Sequence, residues 1–193
     1  MTVIGITGGI GSGKSVVTSL LASWGIPAYI ADEESKRLVA SSPELRRQLT
    51  DVLGRAVYNT DGRLNHSLMA SLIFGDPRLL ERVNGIIHPA VAGHFRSWAQ
   101  NQTSKCVVLE SAILFESGFD RQVDVRLTVY APQALRLKRT MERDHARKAD
   151  VLCRMKSQWP DKIKKERSDF VILNDEKHAL IPQVERFAEM LNF

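Results

Sequence analysis

Cysteine is scarce in this chain, since Cys106 and Cys153 are the only two among 193 residues. Neither stands at a spacing typical of zinc ligands, so we expect reduced thiols, no disulfide and a cytoplasmic location. No stretch approaches the roughly 20 consecutive apolar residues that a membrane-spanning helix needs. Met1-Thr2 leads directly into an apolar run, so we also expect no signal or transit peptide. These absences argue against disulfide-stabilised scaffolds and membrane proteins.

Acidic residues are outnumbered, because 22 Asp and Glu stand against 27 Lys and Arg and the net charge is +5. The excess is concentrated in residues 136–167, which hold twelve basic and five acidic residues. A local basic segment favours an anionic partner, either nucleic acid or a polyphosphate nucleotide. The alternative is a solvated helix face without a specific partner.

The sequence contains one complete phosphate-binding motif. Residues 8–15 read Gly-Gly-Ile-Gly-Ser-Gly-Lys-Ser and fill every fixed position of the pattern G-x-x-x-x-G-K-[ST]. An apolar, β-branched run precedes the motif and a predicted helix follows it. This order of strand, glycine loop and helix places backbone N–H groups and the positive end of a helix around phosphate oxygens. Lys14 is then predicted to reach the β- and γ-phosphates of a nucleotide, and the Ser15 hydroxyl to bind Mg²⁺.

Five apolar runs predict buried strands at residues 3–7, 27–30, 106–109, 126–130 and 170–173. Continuous apolar character is typical of strands covered on both faces, as in parallel sheets. Helices are predicted at residues 13–24, 133–145 and 178–191. The alternation predicts an α/β fold with a doubly wound, parallel five-stranded sheet that binds its ligand at the carboxyl ends of the strands.

Residues 31–105 interrupt this alternation with helical segments. The predicted helices cover residues 44–53, 67–73 and 79–87, and the last is expected to stop before Pro89. We interpret the insertion as a mostly helical module for a second substrate. The charged stretch 139–167 is predicted to form two helices joined by a mobile turn around Pro160.

Three acidic residues follow or end predicted strands. Asp32 comes after the second strand, where it could accept the proton of an attacking hydroxyl or hold a Mg²⁺-bound water; capping of the next helix is the alternative. Glu110 ends the third strand, the usual place of the acid that orders Mg²⁺ through water in phosphate-loop enzymes. Glu116, six residues further on, is expected to shape a substrate loop.

Arg139 and Arg143 are four residues apart, so both guanidinium groups lie on one face of the predicted helix and can bind one anion. On a closing lid they would match phosphate oxygens and help to exclude water. Exposure to solvent is the alternative, because the spacing excludes i, i+4 pairing with Glu142 or Asp144. His88 has no metal-ligand neighbour and is a candidate contact for an anionic acceptor.

Taken together, these segments resemble the dephospho-coenzyme A kinase family. They run in family order over nearly the whole chain, and the His-Pro and Arg-x-x-x-Arg-Asp segments are more specific than the phosphate loop. The matching segments are Thr7 to Ser15, Ala31-Asp32 with Lys36-Arg37, Leu79 to Pro89, Leu114-Phe115-Glu116, Arg139 to Asp144, Arg154 to Gln158, and Ser168 to Asn174.

The resemblance implies an enzyme that uses ATP and Mg²⁺ to phosphorylate the ribose 3′-hydroxyl of dephospho-CoA, the last step of coenzyme A synthesis. It implies a nucleotide-binding core of residues 1–31, 105–135 and 168–193. It also implies a helical acceptor module of residues 32–104 and a basic helical lid of residues 136–167.

Site residues follow from the same resemblance, read together with the residue patterns above. ATP contacts are expected at Gly8, Gly9, Ile10, Gly11, Ser12, Gly13, Lys14, Ser15, Val16 and Asn174. Catalytic roles are expected for Asp32 as general base and for Lys14, Arg139 and Arg143 as charge-neutralising groups. Acceptor contacts are expected at Asp32, Arg37, His88 and Glu116, and Mg²⁺ contacts at Ser15 and, through water, Glu110.

The chain departs from the family pattern at three places. Ile30 replaces the first acid of an Asp-Ala-Asp segment, so the base must be Asp32 or Glu110. Glu110-Ser111-Ala112-Ile113-Leu114 replaces an Asp-x-Pro-Leu-Leu segment. Glu176 replaces the glycine of an Asn-Asp-Gly turn, so the resemblance does not fix the tightness of that turn.

We expect a small-molecule acceptor, no nucleic acid, no membrane and no obligate protein partner. A kinase for a nucleoside monophosphate or a small metabolite is one alternative. A GTPase-like switch is another, although Asn174-Asp175-Glu176-Lys177 has the wrong order for guanine selection. A nucleic-acid-binding protein that uses residues 136–167 is the third.

Overall fold

The structure is a computed structural model that describes residues 1–59 and 61–191. Thr60, Asn192 and Phe193 lie outside the described residues, so the predicted segments 32–104 and 168–193 are described except at those positions. The chain divides into two compact units. Unit 1 contains residues 1–30 and the chain from Gln102 onward, and unit 2 contains residues 31–101.

A parallel sheet of five strands forms the centre of unit 1. The strands are β1 (Thr2–Thr7), β2 (Ala28–Ile30), β3 (Cys106–Glu110), β4 (Val125–Tyr130) and β5 (Phe170–Leu173). Their order across the sheet is β2-β3-β1-β4-β5, and every pairing is parallel. All five predicted strands are present, so the α/β fold class with a parallel five-stranded sheet is confirmed.

Helices connect the strands of unit 1 and make up most of unit 2. In chain order they are α1 (Lys14–Ser23), α2 (Ala31–Ser41), α3 (Pro43–Leu53), α4 (His66–Phe74), α5 (Pro77–Gln100), α6 (Gln133–Asp144), α7 (Lys148–Lys156), α8 (Asp161–Glu166) and α9 (Leu180–Met190). Within the two described ranges, none of these helices combines the length and the apolar character needed to cross a bilayer.

The core of unit 1 lies between the sheet and helices α1 and α9. Ile4 and Ile6 of β1 are fully buried in this cluster. Val17 of α1 and Phe187 of α9 join them with 0% exposure. Burial of the central strand fixes the point at which the phosphate-binding motif begins, because Gly8 follows the last residue of β1 directly.

Unit 2 has its own apolar cluster, which includes Leu49 of α3 and Val83 of α5. Each of the helices α3, α4 and α5 begins at a residue whose side chain accepts backbone N–H groups. Ser42 caps α3, Asn65 caps α4 and Asp76 caps α5. Such caps satisfy donors that a helix start leaves open, so the sequence itself marks where these helices begin.

The prediction that the helix before Pro89 stops there is wrong, because α5 continues through Pro89 to Gln100. Proline removes one backbone hydrogen bond and disfavours helix in the residue before it. The residues beyond Pro89 nevertheless carry an apolar face, since Val91, Phe95 and Ala99 are buried. Burial of that face stabilises the continuation, and His88 therefore lies inside a helix and not at its end.

The charged stretch 139–167 also differs from its prediction. It contains the end of α6, all of α7 and all of α8, so three helices and not two occupy it. The chain turns at His145, which has the left-handed φ of 48°, and again at residues 157–160 before α8. The additional break distributes the basic residues of this stretch over three helices, with Arg139 and Arg143 on α6.

Replacing Phe187 by Ala tests the packing of α9. Phe187 is fully buried and its ring centroid lies 5.2 Å from that of Phe170, so we expect a loss of about 3–5 kcal/mol in the free energy of unfolding. Met190→Ala on the same helix is the control, since Met190 is 54% exposed. Urea unfolding should show a change within about 0.5 kcal/mol for that control; equal losses for both variants would contradict the assigned core.

Candidate active site

The phosphate-binding motif lies at the carboxyl end of β1, between β3 and β4. Ile6 of β1 is in register with Glu110 of β3, and Thr7 with Thr128 of β4. Parallel strands present their carboxyl ends at one edge, which is where ligands bind in open α/β sheets. The sheet therefore brings the loop and Glu110 to the same edge of unit 1, as the sequence predicts.

The carbonyl groups of the loop are held by donors of the protein. Lys14 Nζ donates to Gly8 O at 3.1 Å, and Ser12 N donates to Gly9 O at 3.0 Å. Arg136 Nη1 donates to Ile10 O at 3.2 Å. Asn174 Nδ2 donates to Ser12 O at 2.9 Å. The loop thus turns these carbonyl oxygens toward the protein.

The N–H groups of the loop are distributed differently. Ile10 N–H donates to Gln158 Oε1 at 2.8 Å. The N–H groups of Gly11, Gly13 and Ser15 have no acceptor among residues 1–59 and 61–191. Donors without a protein acceptor at the start of a helix form the kind of cradle that binds phosphate oxygens.

Gly13 is required by the shape of the loop. Its φ of 92° lies in the left-handed region, and a Cβ at this position would stand 2.1 Å from Asn174 Nδ2. Any side chain would therefore meet both backbone strain and a collision with the amide that holds the loop. The fixed glycine of the motif has a structural reason here.

Lys14 and Ser15 open helix α1. Lys14 is 9% exposed and Ser15 is exposed, so the cation lies in the loop while the hydroxyl faces solvent. Val16 is also exposed, and its N–H donates to Gly13 O at 3.1 Å within the first turn. The arrangement offers one positive charge, one hydroxyl and several N–H groups to a polyphosphate.

A Mg²⁺ ion fits the oxygen donors at this edge of the sheet. The Ser15 hydroxyl has no protein partner within the described ranges, and Glu110 is a buried carboxylate (8% exposed) at the end of β3. Mg²⁺ prefers oxygen ligands, keeps several waters and relies on substrate phosphates.

Asp32 belongs to unit 2 and lies in the first turn of α2, which begins at Ala31. Its side chain is exposed. Because Asp32 is inside the helix, the alternative that it is the N-cap residue is wrong. The carboxylate thus remains available for chemistry, and its role as general base stays a prediction.

Arg139 reaches from α6 to the turn after β5. Its Nη1 donates to Asn174 O at 3.0 Å and its Nη2 to Glu176 Oε1 at 3.2 Å. Glu176 has a φ of 66°, so it adopts the left-handed conformation that glycine would favour at this position. In this turn Asp175 Oδ1 accepts the N–H groups of Lys177 at 3.0 Å and of His178 at 3.1 Å. The hydrogen bond with the His178 ring, followed by the bonds from the backbone N–H groups of Lys177 and His178, lowers the pKa of Asp175 to about 2.

Arg143 does not share the partners of Arg139. Its Nε donates to Asp144 Oδ1 at 2.7 Å, and Arg154 Nη1 of α7 donates to Asp144 Oδ2 at 2.7 Å. Hydrogen bonds from Arg143 and then Arg154 hold the pKa of Asp144 well below its usual range. Pairing of Arg143 with the adjacent Asp144 is a contact that helical spacing did not predict. The bond from Arg154 to the same carboxylate ties α6 to α7.

Glu116 is enclosed by residues of the basic segment. Its Oε1 accepts Lys164 Nζ at 2.8 Å and the Trp159 N–H at 2.8 Å. Lys164 is fully buried and also donates to Ala112 O at 2.6 Å. The carboxylate therefore fastens the segment after β3 to α8, and its expected contact with the acceptor stays a prediction.

The predicted acceptor residues of unit 2 lie on α2 and α5. Burial lowers the pKa of His88, which disfavours the charged form of the ring, and its expected contact with the acceptor stays a prediction. Arg37 donates to Glu34 at 2.8 Å and to His94 Nε2 at 2.8 Å. Since arginine has only donors, His94 Nε2 accepts this bond.

Sequence reasoning missed three residues that contact this machinery. Arg136 and Gln158 bind the backbone of Ile10, and His94 binds Arg37. From the sequence alone, Arg136 is one of twelve basic residues in segment 136–167 and has no individual role. Its burial (6% exposed) is the feature that separates it from its neighbours, and no spacing rule shows burial of an arginine.

The parallel sheet, the loop and the helix that follows it define a protein of the phosphate-loop nucleotide-binding class. A family model described as Dephospho-CoA kinase matches residues 2–179. The chain belongs to the dephospho-CoA kinase family, and the resemblance seen in its motifs is confirmed.

Individual relatives agree with this assignment. The chain is 48% identical over 182 residues to the dephospho-CoA kinase of Bacteroides fragilis (strain YCH46), which covers 94% of this chain and 88% of that protein. It is 43% identical over 190 residues to the Porphyromonas gingivalis enzyme, with coverages of 98% and 94%. The crystal structure of TT1252 from Thermus thermophilus matches with a TM-score of 0.85 and 32% identity, over 99% of this chain and 96% of that one.

Replacing Lys14 by Ala tests the nucleotide site. The buried ammonium group that closes on Gly8 O would be lost from the cradle, and we expect turnover to fall by about 100-fold or more. Binding of ADP should weaken in the same variant when measured by calorimetry. Lys105→Ala, an exposed lysine before β3, is the control, and unchanged ADP binding in Lys14→Ala would contradict the assigned site.

Proposed function

We propose that this chain transfers the γ-phosphoryl group of ATP to the ribose 3′-hydroxyl of dephospho-CoA and so forms coenzyme A and ADP. Membership of the dephospho-CoA kinase family supports the acceptor. The observation that carries the phosphoryl chemistry is the arrangement of the loop: the protein binds its carbonyl groups, whereas three of its N–H groups have no acceptor in the part of the chain that the structure describes. Such a loop is organised for the phosphate chain of a nucleotide before the nucleotide arrives.

The nucleotide and its metal are assigned to unit 1. Lys14 and the N–H groups of Gly11 and Gly13 bind the phosphates in this proposal. Ser15, together with Glu110 through water, holds Mg²⁺. When bound, Mg²⁺ neutralises negative charge on the β- and γ-phosphates.

The proton of the acceptor hydroxyl goes to Asp32 in this proposal. The hydroxyl oxygen then forms a bond to the γ-phosphorus while the bond from that phosphorus to the β,γ-bridging oxygen breaks. ADP leaves with the electron pair of the broken bond. Asp32 fits this role because its carboxylate is exposed and lies in the first turn of α2.

Arg139 and Arg143 neutralise the transferred group in this proposal. Both guanidinium groups lie on α6, but each is paired with a carboxylate, Glu176 or Asp144. Ligand binding must therefore compete with these ion pairs. In each pair one side chain is exposed, Glu176 at 66% and Arg143 at 60%, and its partner is partly buried, Arg139 at 26% and Asp144 at 24%. Because pairs open to solvent contribute little stability, a polyphosphate competes with them through their exposed side.

The acceptor is assigned to unit 2 through Arg37 and His88, with Glu116 of unit 1 as a further expected contact. The three-part division into core, acceptor module and basic lid, and the cytoplasmic location, stay predictions. Nucleic acid is less well supported as a partner. Arg136, Arg143, Arg154 and Lys164 of the basic segment are all paired with acidic side chains, which leaves less positive charge for a phosphate backbone.

The acceptor is tested with purified protein, ATP and Mg²⁺ in a coupled assay of ADP formation. We expect turnover with dephospho-CoA and none above background with adenosine, AMP or gluconate. Mass spectrometry of the product should show one added phosphoryl group on the ribose. Turnover with AMP or gluconate but not with dephospho-CoA would overturn the proposed acceptor.

Replacing Asp32 by Asn tests the general base. The amide keeps the shape of the side chain but cannot take a proton at neutral pH, so we expect kcat to fall by roughly 100-fold to 10,000-fold. The KM for ATP should change little, because Asp32 has no assigned contact with the nucleotide. Glu33→Gln, an exposed neighbour in the same helical turn, is the control. A kcat near that of the wild type would show that Asp32 is not the base.

A further inference from the structure

The direction of an N–H group in the loop is set by the carbonyl group of the same peptide unit. A peptide bond is planar and trans, so its C=O and N–H point in opposite directions. The N–H of Gly11 shares a peptide with the carbonyl of Ile10, and the N–H of Gly13 shares one with the carbonyl of Ser12. A donor that holds either carbonyl therefore aims the N–H on the other side.

Arg136 holds the first of these peptides. Its Nη1 donates to Ile10 O at 3.2 Å. The guanidinium group is itself fixed at two further points, because Nε donates to Ala131 O at 3.1 Å and Nη2 to the Asp161 carboxylate. Arg136 is only 6% exposed, so it is placed to act on the loop from behind and not to meet a ligand in solvent.

Asn174 holds the second peptide. Its Nδ2 donates to Ser12 O at 2.9 Å. The backbone of Asn174 is anchored as well, since its N–H donates to Tyr130 O at 2.8 Å and its carbonyl accepts Arg139 at 3.0 Å. The absence of a Cβ at Gly13 gives the amide its place against the loop.

The peptide before these two is held at both ends. The carbonyl of Gly9 accepts Ser12 N–H, and the N–H of Ile10 donates to Gln158. Ile10 is thereby excluded from the set of N–H groups that face a ligand. The side-chain contacts divide the loop into donors that serve the fold and donors that serve the ligand.

We propose that Arg136 and Asn174 are positioning residues for the phosphoryl transfer: Arg136 aims the N–H of Gly11 and Asn174 aims the N–H of Gly13 at the phosphates. The proposal rests on the proposed function in one respect, that the loop binds a polyphosphate. Neither side chain needs to touch the nucleotide for this role, so Asn174 acts on phosphate binding independently of any contact with adenine.

The test uses inorganic tripolyphosphate with Mg²⁺ as the ligand, because this probe has phosphates but no adenine and needs no acceptor. Asn174→Ala removes the donor to Ser12 O without changing the charge. We expect its affinity for tripolyphosphate, measured by calorimetry, to fall about tenfold or more. Asn101→Ala is the matched control, since the Asn101 amide also donates to a backbone carbonyl, that of Ser97, in the other unit.

A second readout separates aiming from general destabilisation. In ¹H–¹⁵N NMR spectra, Asn174→Ala should reduce the response of the Gly13 amide to tripolyphosphate more than that of the Gly11 amide. Arg136→Lys, which keeps the positive charge beside Asp161, should show the opposite order because lysine lacks the planar fork that spans Ile10 O and Asp161. A merely structural role would lower the unfolding temperature but would not produce this paired pattern.

The outcomes are distinguishable from failure of the proposed function. Tripolyphosphate affinity within twofold of the wild type in a folded Asn174→Ala protein would overturn the proposal, as would a loss seen with ATP only, which would indicate adenine contact. If Asn174→Ala does not fold, Arg136→Lys provides the test. A response of its Gly11 amide to tripolyphosphate equal to that of the wild type would then overturn the proposal. Wild-type protein that binds tripolyphosphate but does not phosphorylate dephospho-CoA would overturn the acceptor and leave the positioning roles intact.

Discussion

A phosphate-binding loop must keep N–H groups away from every acceptor in its own protein, and the surrounding structure serves that requirement. Against the described residues, the N–H groups of Gly11, Gly13 and Ser15 meet this requirement, although a donor left without a partner costs about 1–3 kcal/mol when it is fully buried. The loop cannot relax to satisfy these donors, because β1 before it and α1 after it are packed into the core of unit 1. The fold therefore preorganises these N–H groups for an anion.

The basic segment has a second role besides its charge. Arg136 holds the loop, Lys164 neutralises Glu116, and Arg143 and Arg154 share Asp144. Each of these cations has an acidic partner or a backbone carbonyl, so the net positive charge of residues 136–167 overstates the charge that is open to a ligand. Composition alone makes this segment look like a binding surface, whereas the contacts show that part of it is a frame for the loop.

Local patterns predicted the strands and the loop well, since each depends on short runs of residue types. The same patterns gave wrong or incomplete predictions where contacts between residues far apart in the sequence determine the conformation. Pro89 is inside α5 because Val91 and Phe95 beyond it are buried, and a local rule for proline has no access to that burial. Glu176 adopts a left-handed conformation because Asp175 and Arg139 close the turn around it. Arg136 was not recognised as part of the site, because its role depends on a loop more than 120 residues earlier in the chain.

The buried ammonium group of Lys164 restricts where the helices of the basic segment are able to pivot. Moving α8 away from the segment after β3 would separate Lys164 from Glu116, an ion pair in which the lysine is fully buried. Separating a buried ion pair costs several kcal/mol. At the left-handed residue His145, between α6 and α7, the ion pair that crosses the bend joins Arg154 to Asp144, whose side chains are 51% and 24% exposed. Bending there therefore costs less than moving α8. A movement of this region is therefore expected at the bend between α6 and α7, while α8 stays against the segment after β3.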